Sequence, residues 1–333
     1  MTPLRQAQLG GAQAFLCDLA AGFAARGHDV TVHCAAGSDV PGLKLETVPL
    51  AEGAADPLLW PTRPPSKPSP AVSEAMKAMF GAINMGGADV ISQHAFEPPA
   101  FEYSKGLPVL HTLHLPPIVP AVREVAGRVA PPQLATVSRS CQAEWLKAGI
   151  GVERVIASGV GIVPGPPAPT EPVALVAGRV TPEKGVEDAI AAARRAGLRV
   201  LVAGARLDHG YNPDLSGAEY LGFLPRDELR MLMARSAVTI CAPRWDEPFS
   251  MVAAEAQVSG CPVAGYRRGA LPEIVDDGIG GILAEPDDVS DLARAVRKCL
   301  DLDRARVRTS ARLRLGLDAA LDRYEAAFYT VAF

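Results

Sequence analysis

Two carboxylates eight residues apart, Glu247 and Glu255, lie in the run D-E-P-F-S-M-V-A-A-E-A from Asp246 to Ala256. The proline and the alanine-rich tail predict a turn followed by a helix. Glu247 then falls in the turn, and Glu255 lies about 12 Å further along the helix axis at the usual rise per residue. A carboxylate accepts hydrogen bonds from two neighbouring hydroxyls, the arrangement that sugars and riboses offer, so the pair can hold two parts of one long ligand. The free N–H groups of Phe249, Ser250 and Met251 at the helix start suit an anion or a polar sugar edge. The plainer alternative makes Glu247 a helix cap and Glu255 a surface acid.

A second group of residues brings positive charge. In A-G-R-V-T-P-E-K-G, from Ala177 to Gly185, Arg179 and Lys184 follow an apolar run and precede a helical one. Two cations at the carboxyl end of a parallel strand would neutralise a diphosphate, although either alone could be an ordinary ion-pairing or solvated residue. Gly10 and Gly11, just before a helix that starts near Ala12, permit close backbone approach to a phosphate or sugar. In V-L-H-T-L-H-L-P-P, His111 alternates into the predicted strand, whereas His114 enters the loop at its end and is the better substrate contact.

The elements that would position these residues are short Val/Ile/Leu runs between alanine-rich helical stretches, the pattern of a parallel sheet covered on both faces. Strands are expected at 28–34, 43–50, 89–93, 108–112, 134–137 and 154–157. After the Pro/Gly-rich stretch 164–172 they resume at 173–177, 199–203, 219–222, 238–242, 262–265 and 281–284. Helices are expected at 12–26 and 139–148, with another near 72–80. The fold class is therefore α/β. Two Rossmann-like domains, 1–163 and 173–315, are joined by the linker 164–172, and a last helix in 316–333 can cross back to the first domain. The proline-rich stretch Trp60–Pro70 predicts an extended surface loop. The basic run Arg294–Arg314, interrupted by Asp301 and Asp303, predicts a solvated helix face.

The chain has 333 residues, 48% hydrophobic and 21% charged, with a net charge of −4, which excludes a disordered chain and gives no footprint for nucleic acid. Six scattered cysteines form neither a zinc motif nor a disulfide framework, which fits a reducing, cytoplasmic setting. No apolar run approaches the ~20 residues of a membrane span. Peripheral membrane contact needs only a patch and is compatible with this composition.

In order and spacing, L-A-A-G-F-A-A-R-G-H-D-V-T-V (Leu19–Val32), S-R-S-C-Q-A-E-W-L, G-R-V-T-P-E-K-G, Y-L-G-F-L-P-R-D-E-L, the E-P-F turn, S-G-C-P-V-A and G-A-L-P-E-I-V-D-D-G-I-G-G-I-L resemble retaining glycosyltransferase family 4, with its two-Rossmann B-type (GT-B) fold. The resemblance implies parallel sheets facing each other across a cleft. It also implies transfer of a sugar from a UDP-, GDP- or ADP-sugar to a hydroxyl acceptor such as a glycan, lipid or small molecule, with retention and without a metal or other cofactor. By that resemblance Arg179 and Lys184 hold the diphosphate, Glu255 the ribose, and Glu247 with the backbone of Phe249, Ser250 and Met251 the transferred sugar. His114, Gly10 and Gly11 approach from the first domain. Ser250 stands where glycine is usual, and Ser158 where asparagine is usual. Only Met1–Leu9 precede Gly10, where the family carries an apolar strand, so a first sheet lacking its middle strand and a natural start further upstream are expected. A nucleotide-sugar epimerase and a non-catalytic nucleotide-sugar binder or partner subunit are the competing classes.

Overall fold

The computed structural model describes residues 3–5, 10–50, 69–162, 170–207 and 210–332. Most of the loop expected at Trp60–Pro70 and the linker residues 164–169 lie outside them. The chain divides into two compact units, Met1–Ala157 with Ala320–Phe333, and Ser158–Ala319.

In the first unit, helix α1 (Gly11–Ala25) leads into β1 (Thr31–Ala35) and β2 (Lys44–Val48), which pair in parallel as a two-stranded sheet. After α2 (Pro70–Gly86) come β3 (Ile91–Gln93), α3 (Pro98–Tyr103), β4 (Val109–Leu113), α4 (Pro120–Ala126), β5 (Leu134–Thr136), α5 (Arg139–Lys147) and β6 (Arg154–Val155). The strands β3 to β6 pair in parallel in chain order as a separate four-stranded sheet. Every residue of β4 is buried, as expected of a strand covered on both faces. Ser69 and Ser138 cap α2 and α5 by accepting hydrogen bonds from Val72 N and Cys141 N.

The second unit holds one six-stranded parallel sheet. Its elements are β7 (Glu171–Ala177), α6 (Val186–Arg195), β8 (Arg199–Ala203), β9 (Glu219–Gly222), α7 (Arg226–Arg235), β10 (Ser236–Cys241), α8 (Met251–Val258), β11 (Val263–Tyr266), α9 (Leu271–Ile274), β12 (Gly281–Ala284), α10 (Val289–Cys299) and α11 (Arg304–Leu315). The spatial order is β12-β11-β10-β7-β8-β9. The chain starts in the middle at β7, winds outward through β8 and β9, then returns to the other side of β7 with β10. Strand order therefore reverses between β7 and β10, and in open parallel sheets the crevice beyond the carboxyl ends at that reversal is where ligands bind. Its core combines the Val- and Ala-rich strands with small residues such as Ala189, Ala192 and Ala193 of α6, which let helix and sheet approach closely.

A last helix, α12 (Leu317–Ala332), carries the chain back into the first unit from Ala320 onward. It lies along α1. A Cβ on Gly22 would stand 2.7 Å from Leu321 Cδ1, Arg26 pairs with Asp322 and Glu325, and the rings of Phe15 and Tyr324 are 6.1 Å apart.

Candidate functional site

The loops after β7 and β10 flank the reversal point, and they carry Arg179, Lys184 and Glu247, with Glu255 further along α8. Gly185 occupies the left-handed region at φ 61°, and a Cβ there would collide with the Ala242 carbonyl oxygen. Only glycine lets the Lys184 loop lie this close to the end of β10. A second glycine fixes the other loop. Gly269 is at φ 57° against the Glu247 backbone, and the following Ala270 N–H donates to the Glu247 carbonyl at 2.8 Å.

Close approach of the two loops brings Lys184 onto Glu247. Lys184 Nζ donates to both carboxylate oxygens at 2.7 Å, and Trp245 Nε1 donates to Oε2 at 3.0 Å. The ammonium also stands 5.9 Å from the Trp245 ring centroid. The side chains of Lys184 and Glu247 retain 24% and 12% of their exposure, so the pair is largely desolvated yet reachable. Glu247 is thus no helix cap: Ser250 is the N-cap residue of α8, and no side chain caps that end. Ser250 sits at φ 73°, ψ 73°, a region that favours glycine. Burial, reinforced by the Glu247 charge, pushes the Cys241 thiol at the end of β10 up to about 12, which removes it as a nucleophile at neutral pH.

Arg179 and Lys184 have separate partners. Arg179 pairs with Glu183 at 3.5 Å, and the buried Glu183 carboxylate also accepts from Thr181 Oγ1 at 2.7 Å. Glu255 is buried rather than a surface acid, and its Oε1 accepts from Arg226 Nε at 2.8 Å. Arg179, Lys184, Glu247 and Glu255, the charged residues expected to meet a donor, thus fall in three cation–carboxylate pairs.

In the first unit, His114 Nε2 is 2.9 Å from His94 Nδ1, and His94 Nε2 is 2.8 Å from Ser92 Oγ. Phe15 of α1 meets both imidazoles edge-on. Burial lowers His114 to about 4, and burial with the neighbouring His114 holds His94 well below the usual imidazole value. Both rings are neutral near pH 7. His111 is structural: it is buried and stacked on Phe101 at 4.7 Å, and burial lowers it to about 4. Gly11 opens α1, and Gly10 precedes it with ordinary extended dihedrals, where a Cβ would collide with the Gln13 side chain.

Trp245, Arg226, His94 and Gly269 were not among the sequence-derived candidates. Arg226 and His94 follow strand ends, the signal already used for Lys184 and His114, and Trp245 adjoins the E-P-F turn.

Comparison with known proteins bears on the family and the fold. Residues 9–160 match the family model "Glycosyltransferase Family 4", and residues 164–314 match "Glycosyl transferases group 1". D-inositol 3-phosphate glycosyltransferase of Mycolicibacterium smegmatis is 34% identical over 140 residues, 38% of this chain and 32% of that protein. Glycogen synthase of Mycobacterium tuberculosis is 34% identical over 160 residues, 44% of this chain and 38% of that protein. The matched stretch thus spans about a third of the length of these curated relatives. Among solved structures, Anabaena Alr3699/HepE in complex with UDP-glucose aligns at a TM-score of 0.72 with 19% identity, over 97% of both chains. AviGT4, a glycosyltransferase involved in avilamycin A biosynthesis, aligns at 0.69 with 22% identity, over 98% of this chain and 91% of that one. The two family models follow each other along nearly the whole chain, and the fold is that of the solved B-type enzymes, so the chain belongs to glycosyltransferase family 4.

Proposed function

We propose that the protein transfers a sugar from a nucleoside-diphosphate sugar to a hydroxyl acceptor. The observation that carries the reading is the Lys184–Glu247 pair at the point where strand order reverses. It offers one cation for a diphosphate and one carboxylate for sugar hydroxyls, side by side. Lys184 and Arg179 take the diphosphate and stabilise the charge that develops as it leaves. Glu255 takes the ribose hydroxyls. Glu247 and the backbone N–H groups of Phe249, Ser250 and Met251 orient the transferred sugar. In the first unit, His114 with the Gly10–Gly11 backbone is assigned to the substrate-contacting surface of that unit. His114 is neutral there and can exchange hydrogen bonds with hydroxyls without adding charge.

A UDP-sugar is the donor to try first, because the solved Anabaena protein carries UDP-glucose. Two side-chain cations for one leaving group make transfer without a divalent metal part of the proposal, as is retention at the anomeric carbon. A cytoplasmic setting, with at most peripheral membrane contact, also belongs to it. All six cysteines are free, and no helix among the described residues is long and apolar enough to cross a membrane.

The test is nucleoside diphosphate release from UDP-, GDP- and ADP-sugars across an acceptor panel, in EDTA, with the product anomer read by NMR. Acceptor-dependent release with the donor's anomeric configuration kept is expected. Interconversion of the donor without acceptor would make the protein an epimerase. Saturable binding with no turnover on any acceptor would make it a binding subunit.

A further inference from the structure

Arg226 is the first residue of α7, immediately after the loop that leaves β9, and its guanidinium reaches across to α8. The contact is lopsided. Nε donates to Glu255 Oε1 at 2.8 Å, while Oε2 has no hydrogen-bond partner among the described residues and keeps access to solvent. The two side chains are 18% and 8% exposed, so the carboxylate is sunk into the protein and addressed by one cation from one side. Among the other buried residues of α8 only Gln257 carries polar side-chain atoms, and its Nε2 donates to the Ala253 and Ile274 carbonyls rather than to Glu255.

We propose that Arg226 is the positioning residue for ribose recognition: by fixing Oε1 it holds the Glu255 carboxylate with Oε2 turned out to accept the ribose hydroxyls. The inference rests on the assignment of Glu255 to the ribose under the proposed function. A carboxylate without its anchor can rotate about the last two bonds of its side chain, and it then meets the diol in only a fraction of its orientations. The anchor also sets what the site discriminates. A ligand lacking one ribose hydroxyl leaves a desolvated, oriented carboxylate oxygen unpaired, which is a strong basis for rejection. Bridging α7 to α8 for stability alone would predict no such discrimination.

The experiment titrates the protein with UDP and 2′-deoxy-UDP by calorimetry, and with the GDP and ADP pairs where UDP does not bind. The proteins are wild type, R226A, R226K, E255Q and the double variant R226A/E255Q, each checked for a cooperative melt. Wild type should prefer the ribonucleotide by about tenfold or more, the scale of one charged hydrogen bond. E255Q should bring that preference to within about twofold. R226A should lose most of it, and the double variant should show no further loss beyond E255Q. R226K keeps the charge but not the Nε geometry and should fall between wild type and R226A, so it carries the test if R226A fails to fold. R226A and R226K with wild-type discrimination, beside an E255Q that has lost it, overturn the positioning role while leaving Glu255 on the ribose. Undiminished discrimination in E255Q overturns the ribose assignment and this inference with it.

Discussion

Replacing Glu247 by glutamine keeps the shape of the turn after β10 but removes the counter-charge that holds Lys184 through two 2.7 Å hydrogen bonds. At that separation and an effective dielectric constant near 20, the bare attraction is about 6 kcal/mol. Desolvation of a pair that is 24% and 12% exposed offsets much of it, leaving a net worth of roughly 1.5–3 kcal/mol typical of charged hydrogen bonds. On the proposed reading, a bare nucleoside diphosphate must draw Lys184 away from Glu247 or share it. In E247Q that competition is gone, so about half of the pair's net worth should reappear as affinity. The expected result is a Kd for UDP, or for whichever diphosphate binds, lower by about three- to tenfold. The ligand-free variant should also be less stable by about 1–3 kcal/mol, since a half-buried ammonium loses its partner. Calorimetry at low ionic strength measures the first and denaturant unfolding the second. K184A should weaken diphosphate binding, and adding E247Q to it should bring no gain. Equal or weaker diphosphate affinity in E247Q would refute the competition, and with it the view that Lys184 is the diphosphate cation.

Two further outcomes concern stability. Ser250→Gly should raise stability by about 1 kcal/mol in urea unfolding, because Ser250 holds φ 73° where glycine carries no steric penalty; a less stable S250G would show that the seryl side chain contributes more than the strain costs. The His111 imidazole, 3% exposed, has a folded value lowered to about 4 by burial. A lowered value means that the unfolded chain takes up the proton first, so stability is complete above the unfolded value near 6.5 and is lost as pH falls from there toward 4. His111 alone accounts for about 3 kcal/mol of that loss; His111→Phe should flatten the slope between pH 6.5 and 4, and an unchanged slope would show that His111 is protonated without cost.

What could be read from the sequence was whatever a short segment decides by itself. The apolar runs around Val173–Ala177 and Arg199–Ala203 form strands where expected, and the E-P-F turn opens a helix at Met251. What could not be read was pairing at a distance. Lys184 meets Glu247 across 63 residues because β7 and β10 are neighbours in a sheet whose order no local pattern reveals. Arg226 reaches Glu255 because α7 packs on α8, which is equally invisible in either segment alone. Two helices, α3 and α4, start at prolines and are too short to show a helical period. The basic run is not simply a solvated face: Arg304 donates to the carbonyls of Ser236 and Ala234, Arg314 to that of Glu273, and Arg308 is buried. Glu171 and Pro172, expected in the linker, begin β7 instead. The register with β10 shifts between Ser236 and Val238, beside the proline that has no N–H to donate.

The pairing also bears on how a donor and its spent product would differ. Arg179 with Glu183, Lys184 with Glu247 and Arg226 with Glu255 leave the ligand-free region close to electrically balanced. On the proposed reading a free diphosphate satisfies Lys184 but strands Glu247, whose carboxylate is 12% exposed and would lose its main partner. An intact nucleoside-diphosphate sugar does both things at once, giving Lys184 a phosphate and Glu247 a set of hydroxyls. The sugar therefore offsets a cost that the diphosphate alone incurs, and the donor should bind more tightly than the product by more than the sugar's own contacts account for. After transfer the sugar leaves the Glu247 carboxylate, Lys184 is drawn back to it, and the diphosphate is loosened from the cation that held it. In E247Q that restoring pull is absent. The same titrations, run with donor as well as diphosphate, should then show the gap between the two ligands shrinking; a gap as wide as in wild type would mean that product release does not depend on this pair.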